Sequence, residues 1–267
     1  VRSSAASDVY KRQNQKFASC LSDNDMIKML LGGAWKMLYA GVSTACLYPR
    51  VVEEALYDLA LAGISHVEIF INSHSELNPA FTANLAQLMA HFEMHCDSLH
   101  PFTCEIEPMM LFSNYSRRVT DYLEYCKKYF SAMNCLGAKI FVLHGNKAPG
   151  ASADAEFYCK RFQMLAELGK SYGITVAQEN VARCTSASLD FLRRMKAYLG
   201  KDAAFVLDVK QAVRAGEDPM EMLRALKESV VHVHISDHNE YGDCLPLGTG
   251  RLQLNQFLKE LDAFPGD

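Results

Sequence analysis

Residues 174–180 read ITVAQEN and residues 204–211 read AFVLDVKQ. Each run is largely apolar and rich in β-branched or aromatic residues until its last residue or two, which bring a carboxylate, Glu179 in the first and Asp208 in the second. A short apolar run of this kind, followed by a helical pattern, reads as a buried parallel strand. Three further runs share the form: SLHP at 98–101, KIFVLHG at 139–145 and VHVHISD at 231–237. They reach His100, His144 and His234. Laid parallel in one barrel, the strands bring five metal-competent side chains to one rim. That pattern predicts a metal-dependent enzyme.

The alternation extends on both sides of these runs. Strands are expected at 38–44, 65–71, 96–100, 139–144, 174–179, 203–208 and 230–235. Helices are expected at 49–62, 79–95, 114–136, 154–172, 186–199 and 253–262, with another beginning at the Asp218 cap and Pro219. Pro49 suits a first helical turn, Asn78 and Ser186 suit N-caps, and Pro79 suits the first helical position. Residues 209–217 read as a short turn. Glycines at 63, 137, 173 and 200 stop helices just ahead of the next strand.

Seven strand–helix units with no change of composition between them imply a parallel sheet with helices outside. Their spacing, ~30–40 residues, fits the α/β class and a (β/α)8 TIM barrel of ~250 residues. An open doubly wound sheet needs a Gly-rich first turn, which GVSTACLYP at 41–49 lacks. The domain is expected to span 37–267, ending one strand short of eight. Residues 1–36, opening VRSSAASDVYKRQ, read as a non-native leader with Met37 as the natural start.

Composition narrows the class. Of 267 residues 49% are hydrophobic, which supports a sizeable core, and the net charge of −4 carries no basic footprint for nucleic acid. Nine cysteines without a Cys-x-x-Cys motif fit buried thiols in a reducing cytoplasm. The apolar run MIKMLLGGAW at 26–35 is broken by Lys28, and no stretch approaches a membrane span. A small-molecule substrate is expected, with no membrane partner, and a homo-oligomer is compatible with everything above.

At the rim, Glu179 and Asp208 follow apolar residues, so both carboxylates enter a partly desolvated mouth. Such a pair is costly unless it binds a cation or shares a proton. His234 adds an imidazole nitrogen. Gln211, one helical turn past Asp208, places an amide oxygen within reach. This mixed O/N set suits Mn2+, Mg2+, Co2+ or Zn2+. Taken singly, each residue has a blander reading: a strand histidine is often a bonded core residue and a strand-end aspartate a helix cap. Five at matching strand ends argue for a shared site.

The runs HPF (100–102), LHG (143–145), QEN (178–180), LDVKQAVRAGED (207–218) and HVHISD (232–237) resemble the xylose-isomerase-like TIM barrels. This sugar-phosphate isomerase/epimerase group also contains the endonuclease IV enzymes. The resemblance implies that Glu179, Asp208 and His234 bind a divalent metal. It also implies that Glu179 acts as acid/base on a sugar through an ene-diolate. A further glutamate from an eighth strand belongs to the family pattern and is absent here. His144 is expected to orient the moving proton and His100 to bind substrate hydroxyls. Arg183 is read as an anion contact or a solvated surface residue, and Lys210 as mouth-facing or exposed. Glu68, which resembles the glutamate of the family's second strand, is read as a contact to substrate or to a metal-binding residue, or as a structural ion pair. Asn180 is expected next to the ligands, and Asp237 as the hydrogen-bond partner of the metal-bound imidazole. Two alternatives stand beside this reading. One is an endonuclease IV-like phosphodiesterase, weakened by Gln211 where that family has histidine and by the lack of its Asp-x-His pair in 239–250. The other is a non-catalytic sugar-binding barrel.

Overall fold

The structure, a computed structural model, describes residues 38–147 and 154–262. The expected leader, residues 1–36, and the end of the chain after residue 262 lie outside the described residues.

Seven parallel strands run in chain order across one sheet: β1 (Val42–Ser43), β2 (His66–Phe70), β3 (His95–His100), β4 (Ile140–Leu143), β5 (Thr175–Glu179), β6 (Phe205–Asp208) and β7 (Val230–His234). Helices follow them: α1 (Val52–Leu61), α2 (Pro79–His91), α3 (Ser116–Leu136), α4 (Ala155–Ser171), α5 (Leu189–Leu199), α6 (Val209–Ala215), α7 (Pro219–Leu226) and α8 (Leu254–Asp262). Each strand is hydrogen-bonded to the next, from β1–β2 through β6–β7. The sheet curls until β2 meets β7 across the interior, where Glu68 and His234 lie 2.9 Å apart. This is a TIM-barrel-like fold.

Strand alternation sorts the side chains. On β4, Phe141 faces the helices while Val142 shares a face with His144. Phe141 is fully buried between Tyr129 and Phe130 of α3, ring centroids 5.6 and 5.4 Å away. Burying a side chain of this size contributes on the order of 2–3 kcal/mol. α3 presents Tyr122, Cys126, Tyr129, Phe130 and Met133 to the sheet at helical spacing and ends on Gly137 in the left-handed conformation, φ +82°. Facing inward, Val142, Ala177, Ala204 and Val206 form a separate small apolar cluster. Each lies two residues from a functional residue along its strand, or four in the case of Ala204. The barrel floor is therefore apolar beneath the rim residues of β4 to β6.

Three local expectations need correction. Pro49 does not open a helix: it follows a cis peptide bond, and α1 begins at Val52. Ser186 does not cap α5; Ser188 does, accepting from Phe191 N–H. Residues 209–215 are not a turn but the short helix α6, whose cap is Asp208 itself. Cys96, Cys126, Cys159 and Cys184 are buried thiols outside any disulfide. Among the described residues no helix is long and apolar enough to cross a membrane.

Candidate active site

The last inward-facing residues of β5, β6 and β7 are Glu179, Asp208 and His234, and their side chains converge. His234 Nδ1 lies 3.1 Å from Glu179 Oε1 and 3.6 Å from Asp208 Oδ2. One donor atom from each of the three can be chosen so that all lie within 4.8 Å of one another. A second group forms on the other side of Glu179. His144 Nε2 is 2.9 Å from Glu179 Oε2 and 2.8 Å from His100 Nε2, and His100 Nε2 is 3.8 Å from the same carboxylate oxygen. Glu179 is thus common to two triads, one oxygen turned to each.

Glu179, Asp208 and His100 are buried, His144 and His234 partly so, and each perturbs its neighbours. Burial alone would raise Glu179, but the neighbouring imidazoles of His100, His144 and His234 hold it well below the usual carboxylate range. Burial would lower His234, yet Glu68, Asp208 and Glu179 push it well above an ordinary imidazole. His144 behaves alike: burial is outweighed by Cys104 and Glu179, which raise it to about 10. The carboxylates and imidazoles thus favour each other's charged forms, and a divalent cation would supply positive charge at the same place.

The donor set fits such a cation. It offers two carboxylates and an imidazole nitrogen, with further imidazoles alongside, and contains no thiolate. Glu179 Oε2 is buried and receives no well-aligned hydrogen bond even with His144 beside it. An under-satisfied buried carboxylate oxygen is the feature a cation would relieve.

The scaffold holds these residues by their backbones. Asn180 Oδ1 accepts from Asp208 N–H at 2.7 Å, and its Nδ2 donates to Asp208 C=O at 3.0 Å. Ser186 Oγ donates to Glu179 C=O at 2.7 Å, and Gln178 Nε2 donates to the carbonyls of His144 and Glu179, both at 2.9 Å. Asp208 Oδ1 accepts from Gln211 N–H at 2.8 Å, leaving Oδ2 toward the cluster.

A family model for the xylose isomerase-like TIM barrel matches residues 56–266. The chain belongs to this family. As a xylose isomerase-like barrel it has relatives of similar extent. An uncharacterised protein of Methanocaldococcus jannaschii is 24% identical over 236 residues, 83% of this chain and 78% of that one. Among solved structures, a D-tagatose 3-epimerase-like protein superposes with TM-score 0.69 at 20% identity, covering 83% of this chain and 85% of that one. The 3-keto-D-glucoside 4-epimerase of E. coli gives 0.66 at 14%, covering 85% and 88%. A probable 3-DHS dehydratase of Bacillus anthracis gives 0.69 at 12%, covering 84% and 89%. At these identities the likeness is one of fold.

Other residues expected at this xylose isomerase-like site sit differently. Gln211 turns its amide oxygen to Ala182 N–H at 3.0 Å, tying the loop after β5 to α6. Asp237 does not contact His234. Its carboxylate accepts from the backbone N–H groups of His238, Gly250 and Leu252, so it organises the loop after β7. The place expected for Asp237 is taken by Glu68, which is bonded to His234. Arg183 is exposed and paired with Glu105, which also holds Lys147 at 3.1 Å. Lys210 Nζ is 3.8 Å from Asp208 Oδ2, within reach of the mouth.

Sequence reading missed Ser98, His232 and Glu107. Ser98 and His232 were findable, because each lies two residues before a rim histidine on the same strand face. Glu107 gave no signal, since it sits in an irregular segment after β3. It is fully buried, accepting from Gly145 N–H at 2.5 Å and from Tyr122 Oη at 3.4 Å. Gly145 has φ +87°, and a β-carbon there would strike the Tyr158 hydroxyl. Burial pushes the Glu107 carboxyl up to about 8. A carboxyl raised on folding stabilises fully only below its unfolded value, and that contribution is lost as pH climbs through the folded one. At pH 7 the cost relative to an uncharged side chain is roughly 3 kcal/mol. Glu107→Gln is therefore expected to raise the melting temperature at neutral pH and to flatten the pH dependence of stability between about 4.5 and 8. Denaturant melts across that window check it; an unchanged pH profile would refute it.

Proposed function

We propose that this protein is a divalent-metal-dependent isomerase or epimerase of a sugar, sugar phosphate or hydroxy-keto acid, acting through an ene-diolate. The observation that carries the reading is the convergence of Glu179, Asp208 and His234 from three separate strands. Membership of the xylose isomerase-like family, and fold neighbours named as epimerases, support it.

Glu179, Asp208 and His234 would hold the ion, here Mn2+, Mg2+, Co2+ or Zn2+. When bound, it supplies Lewis-acid polarisation of a carbonyl next to a carbon that carries hydrogen. The chain's residues do the rest. Glu179, kept ionised by three histidines, takes the proton from that carbon. His144, 2.9 Å from Glu179 Oε2, steers the proton and carries charge away from the carboxylate. His100 and Lys210 border the mouth and offer donors to hydroxyl or anionic oxygens. Val142, Ala177 and Val206 keep the floor apolar, which strengthens each polar contact above it. Delivery of the proton to the neighbouring carbon isomerises the substrate, and delivery to the opposite face of the same carbon epimerises it. The cysteine usage supports a cytoplasmic setting.

A panel of ketoses and hydroxy-keto acids incubated with the full chain and Mn2+ in D2O tests this reading. Deuterium should appear at the carbon next to the carbonyl, and a chelator should abolish the exchange. Exchange with no substrate in the panel, despite bound metal, counts against it.

One observation favours a second reading. His100, His144 and Glu179 form another cation-competent triad adjoining the first. Two neighbouring ions suit phosphodiester cleavage. Stoichiometry separates the readings: one ion per chain for the isomerase, two or more together with cleavage of abasic DNA for the phosphodiesterase.

A further inference from the structure

We infer that Glu68 is the positioning residue for His234, selecting which imidazole nitrogen faces the cation. The inference rests on the ligand assignment proposed above. Glu68 lies on β2 and His234 on β7, 166 residues apart in sequence. Their side chains meet inside the barrel, with Glu68 Oε2 2.9 Å from His234 Nε2. The same oxygen accepts from Ser98 Oγ at 2.8 Å, and His232 Nε2 stands 3.7 Å away. Ser98 Oγ is also 3.3 Å from His232 Nε2. Glu68 is buried and its carboxylate is fixed from β3 as well as from β7.

An ionised carboxylate only accepts hydrogen bonds, so Nε2 of His234 must carry the hydrogen. In a neutral ring this leaves the lone pair on Nδ1. Nδ1 is the nitrogen that faces Glu179 and Asp208. The opposite tautomer would aim an N–H at Glu179 and turn a lone pair toward a buried anion. Glu68 therefore fixes both the tautomer and the plane of the ring. Its charge also makes the imidazole a stronger donor to a cation. This places Glu68 behind the ligand, and its Oε2 is already committed to two partners.

Two variants of the full chain test the inference, Glu68→Gln and Glu68→Leu. Glutamine keeps an oxygen that can accept from Nε2–H but loses the charge. Leucine removes both. Mn2+ affinity measured by calorimetry is expected to fall roughly 10- to 100-fold for E68L and by a smaller factor for E68Q. The visible absorption spectrum of bound Co2+ should change in E68L, where the ring is free to turn, and persist in E68Q. A metal-free melt checks that each variant folds. Should E68L not fold, E68Q decides alone, and unchanged Mn2+ affinity there overturns the inference. Wild-type Mn2+ affinity in both variants, with only the KM for sugar raised, also overturns it and makes Glu68 a substrate contact. A wild-type chain that binds no divalent ion sinks the ligand assignment itself, and the inference with it.

Discussion

Glu179→Gln is expected to cut kcat by roughly 10³-fold or more, on the scale of losing a positioned general base. Divalent-ion affinity should fall with it. The size of the effect follows from Glu179's position between two triads. Its Oε1 lies 3.1 Å from His234 and its Oε2 2.9 Å from His144. Glutamine replaces one of these oxygens with an NH2 group that can only donate. Placed toward His144, that group faces the imidazole with an uncharged donor in place of an anionic oxygen. Placed toward the other triad, it removes an anionic ligand. Neither orientation preserves both sides. Steady-state assays with saturating Mn2+ check the prediction, and retention of kcat within tenfold of wild type would exclude Glu179 as the base.

The second large effect concerns stability. Mn2+ at about 100 times its dissociation constant should stabilise the fold by roughly 2.7 kcal/mol. For a domain of this size that corresponds to a rise of about 5–10 °C in melting temperature. A chelator should reverse the rise. The three proposed ligands sit on three strands, so an ion that joins them resists the separation of all three. Asp208→Asn, which weakens one ligand and keeps the helix-cap geometry, should shrink the shift. Thermal melts with Mn2+, Mg2+, Co2+ and Zn2+ provide the measurement. A melting temperature indifferent to all four would remove the metal site from the reading.

The sequence made the strands legible because each satisfies two constraints at once. Phe141, Leu143, Val176 and Leu207 must be apolar to meet the helices, and Val142, Ala177 and Val206 must be apolar to fill the lumen. That double burial leaves a continuous apolar run, and the rim residue that breaks it stands out. Boundaries governed by local competition were harder to read. Ser186 and Ser188 are equally good caps by composition, and only tertiary contact assigns Ser186 to the carbonyls of His144 and Glu179. The partner of His234 was illegible for a different reason. Asp237 is three residues away along the chain and Glu68 is 166 away, so proximity in sequence pointed to Asp237 while the fold brings Glu68 to the ring. Glu107 was invisible because its burial depends on the path of an irregular loop, which no periodicity encodes.

The six strands from β2 to β7 each carry one member of the cluster, in the strand or, for His144, one residue past it: Glu68, His100, His144, Glu179, Asp208 and His234. No two of these residues are close in sequence, so no local segment can assemble even half of the centre. The cluster comes together only once the sheet has reached its final curvature, so the affinity for the proposed ion would gauge the whole wall's shape. A cavity opened beneath α3, far from any ligand, would then register first as a detuned centre and only later as a lower melting point.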